Sequence, residues 1–247
     1  MLSGAKIKYI NSLKQKKRRD AERIFIVEGE KNILDFIREG WRFSELFYTD
    51  KLASKLNNFA SFKSINAYLV KASRLSGVGS LKTNDAGVAI VKQKELAAFY
   101  WEEDLFYLVL DGINNPGNLG TLIRLADWFG INQVLLSTGS VDCFNPKVVN
   151  ASKGSLARVE IHYAQLKTLL AEYKGPVYGA DSRGEDIHQL TNVKKGIILM
   201  GSESHGISTN LHPLVTKMVG IPGYGKAESL NVALAAAIIT DHLISRG

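Results

Sequence analysis

Three turns rich in Gly, Ser and Asn, each placed directly after a short apolar run, constrain this chain more than any other feature. Asn115–Arg124 follows Phe106–Leu110, Gly201–Gly206 follows Ile197–Met200, and Ile221–Gly225 closes the run that begins at Lys217. Continuous apolar runs of four or five residues bounded by turn residues read as strands buried on both faces. Leu122, Leu125, Ala126 and Phe129 then recur at helical spacing, and the residues after Asn231 form an Ala-rich helix with almost no polar face. Val134–Leu136 and Val177–Ala180 supply two more buried strands. Strands alternating with helices imply an α/β unit, a mostly parallel sheet flanked by helices. Ligands of such sheets bind beyond the carboxyl ends of the strands, where all three turns fall. Asn118 is expected to cap the helix that Gly130 stops, and Ser229 to cap the last helix with Asn231 in its first turn.

The preceding part reads differently. Ile7, Ile10 and Leu13 have helical spacing and run into the block Lys16-Lys17-Arg18-Arg19. Phe25–Val27, Phe47-Tyr48, Ala67–Val70 and Val88–Val91 have strand character. Ile33, Leu34, Phe36 and Ile37 mark an amphipathic helix, and helical segments are expected at Ser54–Phe62 and Ser73–Gly77. A small α/β domain over 1–98 is therefore expected, followed by the larger unit over 99–247, with the change of composition near Gln93–Glu102.

Charge divides along the same line. The chain carries +7 overall, with +9 in residues 1–98 and −2 in 99–247. A polyanion would be met by the first domain, where Lys and Arg replace the counterions of phosphates. The N-terminus is basic and polar without an apolar signal core, no long apolar run exists, and Cys143 is the single cysteine. A soluble, cytoplasmic protein with no membrane partner is expected.

Elimination narrows the ligand. Gly117-Asn118-Leu119-Gly120 gives only the second half of a dinucleotide-binding G-x-G-x-x-G, and no G-x-x-x-x-G-K-[ST] phosphate loop occurs. The five histidines lie scattered without ligand spacing, so no metal is expected. Gly201–Gly206 lacks the serine placement of a hydrolase nucleophile elbow.

Asn115–Arg124 (Asn-Pro-Gly-Asn-Leu-Gly-Thr-Leu-Ile-Arg) resembles the first motif of the SpoU family of SPOUT-class RNA ribose 2′-O-methyltransferases. Ile198–Ser208 resembles the second and Ile221–Ala233 the third, in the family's order and spacing. Residues 5–95, with Phe25–Gly29, more loosely resemble the substrate-binding domain often fused in front, whose fold is like that of a ribosomal RNA-binding protein. The resemblance implies S-adenosyl-L-methionine as methyl donor, a C-terminal trefoil knot and a homodimer with the site at its interface. It implies that Gly201, Ser202, Glu203, Gly206, Ile221, Pro222, Gly225, Ser229 and Leu230 hold the cofactor. Arg124, Asn118, Glu203, Ser229 and Asn231 would then face the chemistry, with Glu203 paired to an arginine or bound to ribose hydroxyls.

A free guanidinium cannot act as a base near neutrality. Arg124 is therefore expected to clamp the phosphate beside the reacting ribose and stabilise the developing alkoxide. Lys16, Lys17, Arg18 and Arg19 are expected to bind RNA, as are Lys147 and Lys153 in Asn145–Gly154, a further family segment in which Asn150 replaces the usual arginine. The expected activity is methyl transfer to a ribose 2′-OH, with large-subunit ribosomal RNA as first substrate and transfer RNA as second. A non-catalytic RNA-binding assembly factor is the alternative from another class.

Overall fold

The three apolar side chains Phe25, Ile26 and Val27 sit at the centre of a strand whose five residues are all buried, although it lies at one edge of the first sheet. The computed structural model describes residues 2–191 and 193–246, and the chain divides into two compact units. The first holds the residues up to Glu95 together with Asp142–Arg158; the second holds Leu96–Val141 and the residues from Val159 onward. A single boundary near residue 98 does not describe this division, because 142–158 belongs with the first unit.

In the first unit, α1 (Gly4–Ser12) and α2 (Lys16–Glu22) precede β1 (Ile24–Glu28). Then follow α3 (Glu30–Arg38), β2 (Phe43–Tyr48), α4 (Asp50–Leu56), β3 (Ala67–Leu69) and β4 (Gly87–Lys92). The sheet order is β1-β4-β2-β3, with β4 antiparallel to both neighbours and β2 parallel to β3. Ile10, Leu13, Ile26, Phe47 and Ile90 pack in one apolar cluster. The helix expected over Ser54–Phe62 ends at Leu56 and gives way to a 3-10 turn at Ala60–Ser64. The intervening Asn57-Asn58 explains the break, since Asn side chains compete for backbone groups. Ser73–Gly77 holds only a 3-10 turn, Ala72–Leu75.

Arg19 corrects the reading of the basic block. Lys16 and Lys17 are exposed and Arg18 pairs with Glu22, but Arg19 is buried. Its Nη1 donates to the carbonyls of Leu13 and Lys14 at 2.8 Å each, and its Nε donates to Asp142 Oδ2 at 3.0 Å. A guanidinium so enclosed braces the unit and has no donor turned to solvent RNA.

The second unit begins with β5 (Tyr107–Leu110), α5 (Pro116–Trp128) and β6 (Gln133–Ser137). The chain then contributes α6 (Pro146–Ala151) to the first unit before returning as β7 (Glu160–Ala164) and α7 (Leu166–Ala171). The remainder is β8 (Val177–Asp186), β9 (Ile197–Met200), β10 (Lys217–Gly220) and α8 (Val232–Ser245). Six strands form one sheet in the order β10-β8-β9-β5-β6-β7, and every pairing is parallel. α7 covers the face bearing Tyr107, Val109, Ile197 and Leu199. α5 and α8 pack on each other and reach β6, β8 and β9. Among the described residues no helix is long and apolar enough to cross a membrane.

Within the first unit, 142–158 is anchored at several points. Phe144 stacks on Phe25 with ring centroids 4.6 Å apart, and Trp41 Nε1 donates to the Ala157 carbonyl at 2.9 Å. Asn150 donates to Ser80 Oγ at 2.9 Å and lies 3.4 Å from Glu28 Oε2. The buried Glu28 carboxylate also accepts from the backbone N–H groups of Ser80 and Leu81. Asn150 is thus engaged inside the unit, while Lys147 and Lys153 stay exposed.

Candidate functional site

The strand-to-turn junctions of β9 and β10 meet at the carboxyl end of the parallel sheet and enclose a cavity of about 840 Å³. Gly201, Ser202, Glu203, Gly206, Ile221, Pro222, Gly225, Ser229 and Leu230 all line it. Residues more than twenty positions apart in sequence are brought together because β9 and β10 flank β8 in the sheet. Ser202 and Gly206 exchange two backbone hydrogen bonds, 3.0 and 2.9 Å, which close the first turn on itself. A Cβ on Gly201 would stand 2.0 Å from the Gly206 carbonyl carbon, so only glycine fits there. Gly206 has φ +66°, a left-handed conformation suited to glycine. Asp111, buried at the end of β5, accepts from Ser208 N at 2.9 Å, while its own N–H donates to the Met200 carbonyl at 2.8 Å.

The polar residues converge beside this cavity. Asn231, not Ser229, caps α8: its Oδ1 accepts from Ala233 N at 2.9 Å. With the carbonyl so used, its amide NH₂ turns to acceptors, reaching Glu203 Oε1 at 2.9 Å and Asn118 Oδ1 at 3.2 Å. Asn118 Nδ2 donates to the same Glu203 oxygen at 2.6 Å. Asn118 is likewise not the expected cap. Asn115 caps α5, accepting from Gly117 N at 2.8 Å, and Pro116 takes the first helical position. Asn118 therefore sits in the first turn with its side chain free to join the cluster. Glu203 is exposed and bound by two amides, not by an arginine. Arg124 is exposed on α5 and does not line the cavity.

Sequence reasoning missed a charged pair at the rim. Asp181 and Arg183 line the cavity, where Arg183 Nε and Nη2 donate to the Asp181 carboxylate at 3.2 Å each. The Arg183 side chain, and then its backbone N–H, hold the Asp181 carboxyl below its ordinary range. The pair is carried to the cavity by a register shift between β8 and β10 at Met218/Val219. Gly184 fits so closely there that a Cβ would come within 2.6 Å of the Val219 backbone. Only the glycine itself signalled this bulge in the sequence. Among the described residues, no group of three His, Cys, Asp or Glu side chains could hold a metal ion.

The cavity's size suits a small organic ligand, for which about 300–1,000 Å³ is usual. Its lining combines apolar Val219, Ile221, Leu230 and Ile239 with main-chain groups, Ser202, Ser229 and carboxylates. That mixture suits a small ligand carrying both an apolar ring system and polar or cationic groups. Comparisons with known proteins agree. The model of the SpoU rRNA Methylase family matches residues 105–241, and that of the MRM3-like substrate binding domain matches residues 4–89. The 23S rRNA (guanosine(2553)-2'-O)-methyltransferase RlmP of Bacillus subtilis is 30% identical over 96% of this chain and 95% of that protein. A 23S rRNA (guanosine-2'-O-)-methyltransferase RlmB of Bordetella pertussis is 28% identical over 68% of this chain and 74% of its own. The AdoMet-bound rRNA methyltransferase from Sinorhizobium meliloti superposes with a TM-score of 0.84 at 28% identity, covering 98% and 95% of the two chains. By sequence and by fold, the chain belongs to the SpoU rRNA methylase family.

Proposed function

We propose that this chain is an S-adenosyl-L-methionine-dependent RNA methyltransferase acting on a ribose 2′-OH of large-subunit ribosomal RNA in the cytoplasm. One observation carries the reading. The second and third family turns form a single cavity and the first places Asn118 beside it, in the Asn118–Glu203–Asn231 cluster, in a chain aligned almost end to end with a 23S rRNA 2′-O-methyltransferase.

The cofactor, when bound, supplies an electrophilic methyl on sulfur. The chain's task is to orient a weak hydroxyl nucleophile in line with that methyl and to stabilise the charge that develops. Main-chain groups of Gly201, Ile221 and Leu230 hold the purine nucleoside, and the closed Ser202–Gly206 turn fixes one wall. Glu203, with one oxygen occupied by two amides, is held in a single orientation toward the cavity. Ser229, exposed at the cavity edge, is placed to hydrogen-bond the ribose. Arg124 binds the phosphate beside the target ribose. A trefoil knot and a homodimer with a shared site belong to this reading. Leu234 and Ile238, exposed one turn apart on α8, and Trp128, 82% exposed on α5, support a second copy there.

The first unit grips the RNA. Its support is the excess of nine positive charges over residues 1–98 and the exposure of Lys16, Lys17, Lys147 and Lys153. Recognition of folded RNA through phosphates and 2′-hydroxyls suits such a surface.

Mapping 2′-O-methyl groups in ribosomal RNA from a strain lacking the gene is expected to reveal one missing large-subunit site, restored by the purified protein with S-adenosylmethionine. An unchanged map, with no binding of S-adenosylhomocysteine by calorimetry, would sink the reading. Gly201→Ala is expected to abolish S-adenosylhomocysteine binding while the protein stays folded by circular dichroism, because the methyl must displace the Gly206 backbone.

A further inference from the structure

Tyr224 is 96% exposed, more than any other large apolar side chain among the described residues. Isolated apolar residues on a surface are common and mean little by themselves. This one lines the cavity at the carboxyl end of the sheet, on the segment that joins β10 to α8. Gly223 and Gly225 flank it, and a Cβ built on either meets nothing within 4 Å. The loop therefore stands in open space on both sides of the ring. Among the described residues, the main chain of 222–230 makes no backbone hydrogen bond, so the loop is held at its two ends, by β10 and by the Asn231 cap.

The loop's other side chains decide what the ring meets. Lys226, Glu228 and Ser229 are all exposed, and the one other large exposed apolar side chain described in the segment, Leu230, lies six positions on, just before the last helix. A protein–protein contact would gather several apolar residues on one face, as the exposed Leu234 and Ile238 do one turn apart on α8. A lone exposed ring with a cation two residues away is instead what an unstacked nucleotide requires. The π-face receives a base, and the ammonium receives a phosphate.

We propose that Tyr224 is the platform on which the nucleobase of the methylated nucleotide, or of its immediate neighbour, stacks, with Lys226 binding an adjoining phosphate. This rests on the RNA methyltransferase reading above and adds a substrate class to it: a nucleotide in a loop, bulge or single strand. Stacking on the ring needs no particular base edge, so the platform orients the nucleotide and leaves the choice of base to other contacts. The ring anchors the ribose against rotation, which aligns the 2′-OH with the cavity.

The test uses the full-length protein, unmodified transcribed large-subunit RNA and the variants Tyr224→Ala, Tyr224→Phe and Tyr224→Trp. Tyr224→Ala is expected to raise KM for RNA by about tenfold or more, with S-adenosylhomocysteine affinity and sedimentation unchanged. Phe and Trp at this position are expected to restore KM, since both keep the π-face. An unchanged KM in Tyr224→Ala overturns the proposal. So does a parallel loss of S-adenosylhomocysteine affinity, which would make the ring a cover for the cofactor. A shift to a smaller sedimenting species overturns it as well, by assigning the ring to a subunit interface. If the wild type transfers no methyl to any RNA, the underlying reading falls and the platform with it. Transfer by the wild type with indifferent variants removes the platform alone.

Discussion

Arg124→Ala is expected to cut methyl transfer by about 10²–10³-fold while leaving S-adenosylhomocysteine affinity intact. The residue is exposed on α5 and takes no part in lining the cavity, so neither the fold nor the cofactor depends on it. Surface substitutions of this kind usually change stability by less than about 0.5 kcal/mol. A guanidinium stays protonated at any working pH and offers five donors, which suits a phosphate clamp and excludes a role as base. Arg124→Lys should recover only part of the rate, because an ammonium keeps the charge without the planar fork. Single-turnover rates at saturating RNA separate this from weakened RNA binding. Near-normal turnover in the alanine variant would remove Arg124 from the chemistry.

The second large effect is on stability. Asp142→Ala is expected to cost about 3–5 kcal/mol, the range for removing one partner of a buried pair. The Arg19 side chain is 2% exposed and that of Asp142 13%, so the charge left behind has little access to water. Two carbonyls would still accept from Arg19, but they carry no countercharge. The loss should be larger in Asp142→Ala than in Arg19→Met, which removes the charge with its donors and leaves Asp142 able to reach solvent. Urea unfolding followed by fluorescence measures both. A loss below about 1 kcal/mol in Asp142→Ala, typical of exposed pairs, would show that Arg19 is hydrated.

Ile197–Met200 was legible to the residue, because a continuous apolar run ending in glycine leaves few alternatives for a buried strand. β7 was not legible: Glu160–Ala164 reads Glu-Ile-His-Tyr-Ala, and as an edge strand it buries too little to show an apolar run. The helix caps went to the wrong residues. Asn115 precedes a proline, the better signal for a helix start, and Asn231 rather than Ser229 directly precedes the buried run of α8. Those shifts matter chemically, since they free Asn118 and orient Asn231 toward Glu203. Arg19 looked like one more surface cation because its partner lies 123 positions away. The cavity walls were legible as motifs, yet the Asp181–Arg183 rim was not, because it depends on a β8–β10 register that no local pattern encodes.

The return of 142–158 to the first unit has a consequence for how the chain is made. Synthesis runs from the N-terminus, at about 5–20 residues per second. β5, α5 and β6 of the second unit must therefore leave the ribosome before the first unit can be finished. Until then Arg19 has no carboxylate, Trp41 has no carbonyl from Ala157, and the face of Phe25 that Phe144 covers stands open. The N-terminal unit is thus first in sequence but cannot finish folding until residue 158 has emerged, with β5, α5 and β6 of the second unit already made.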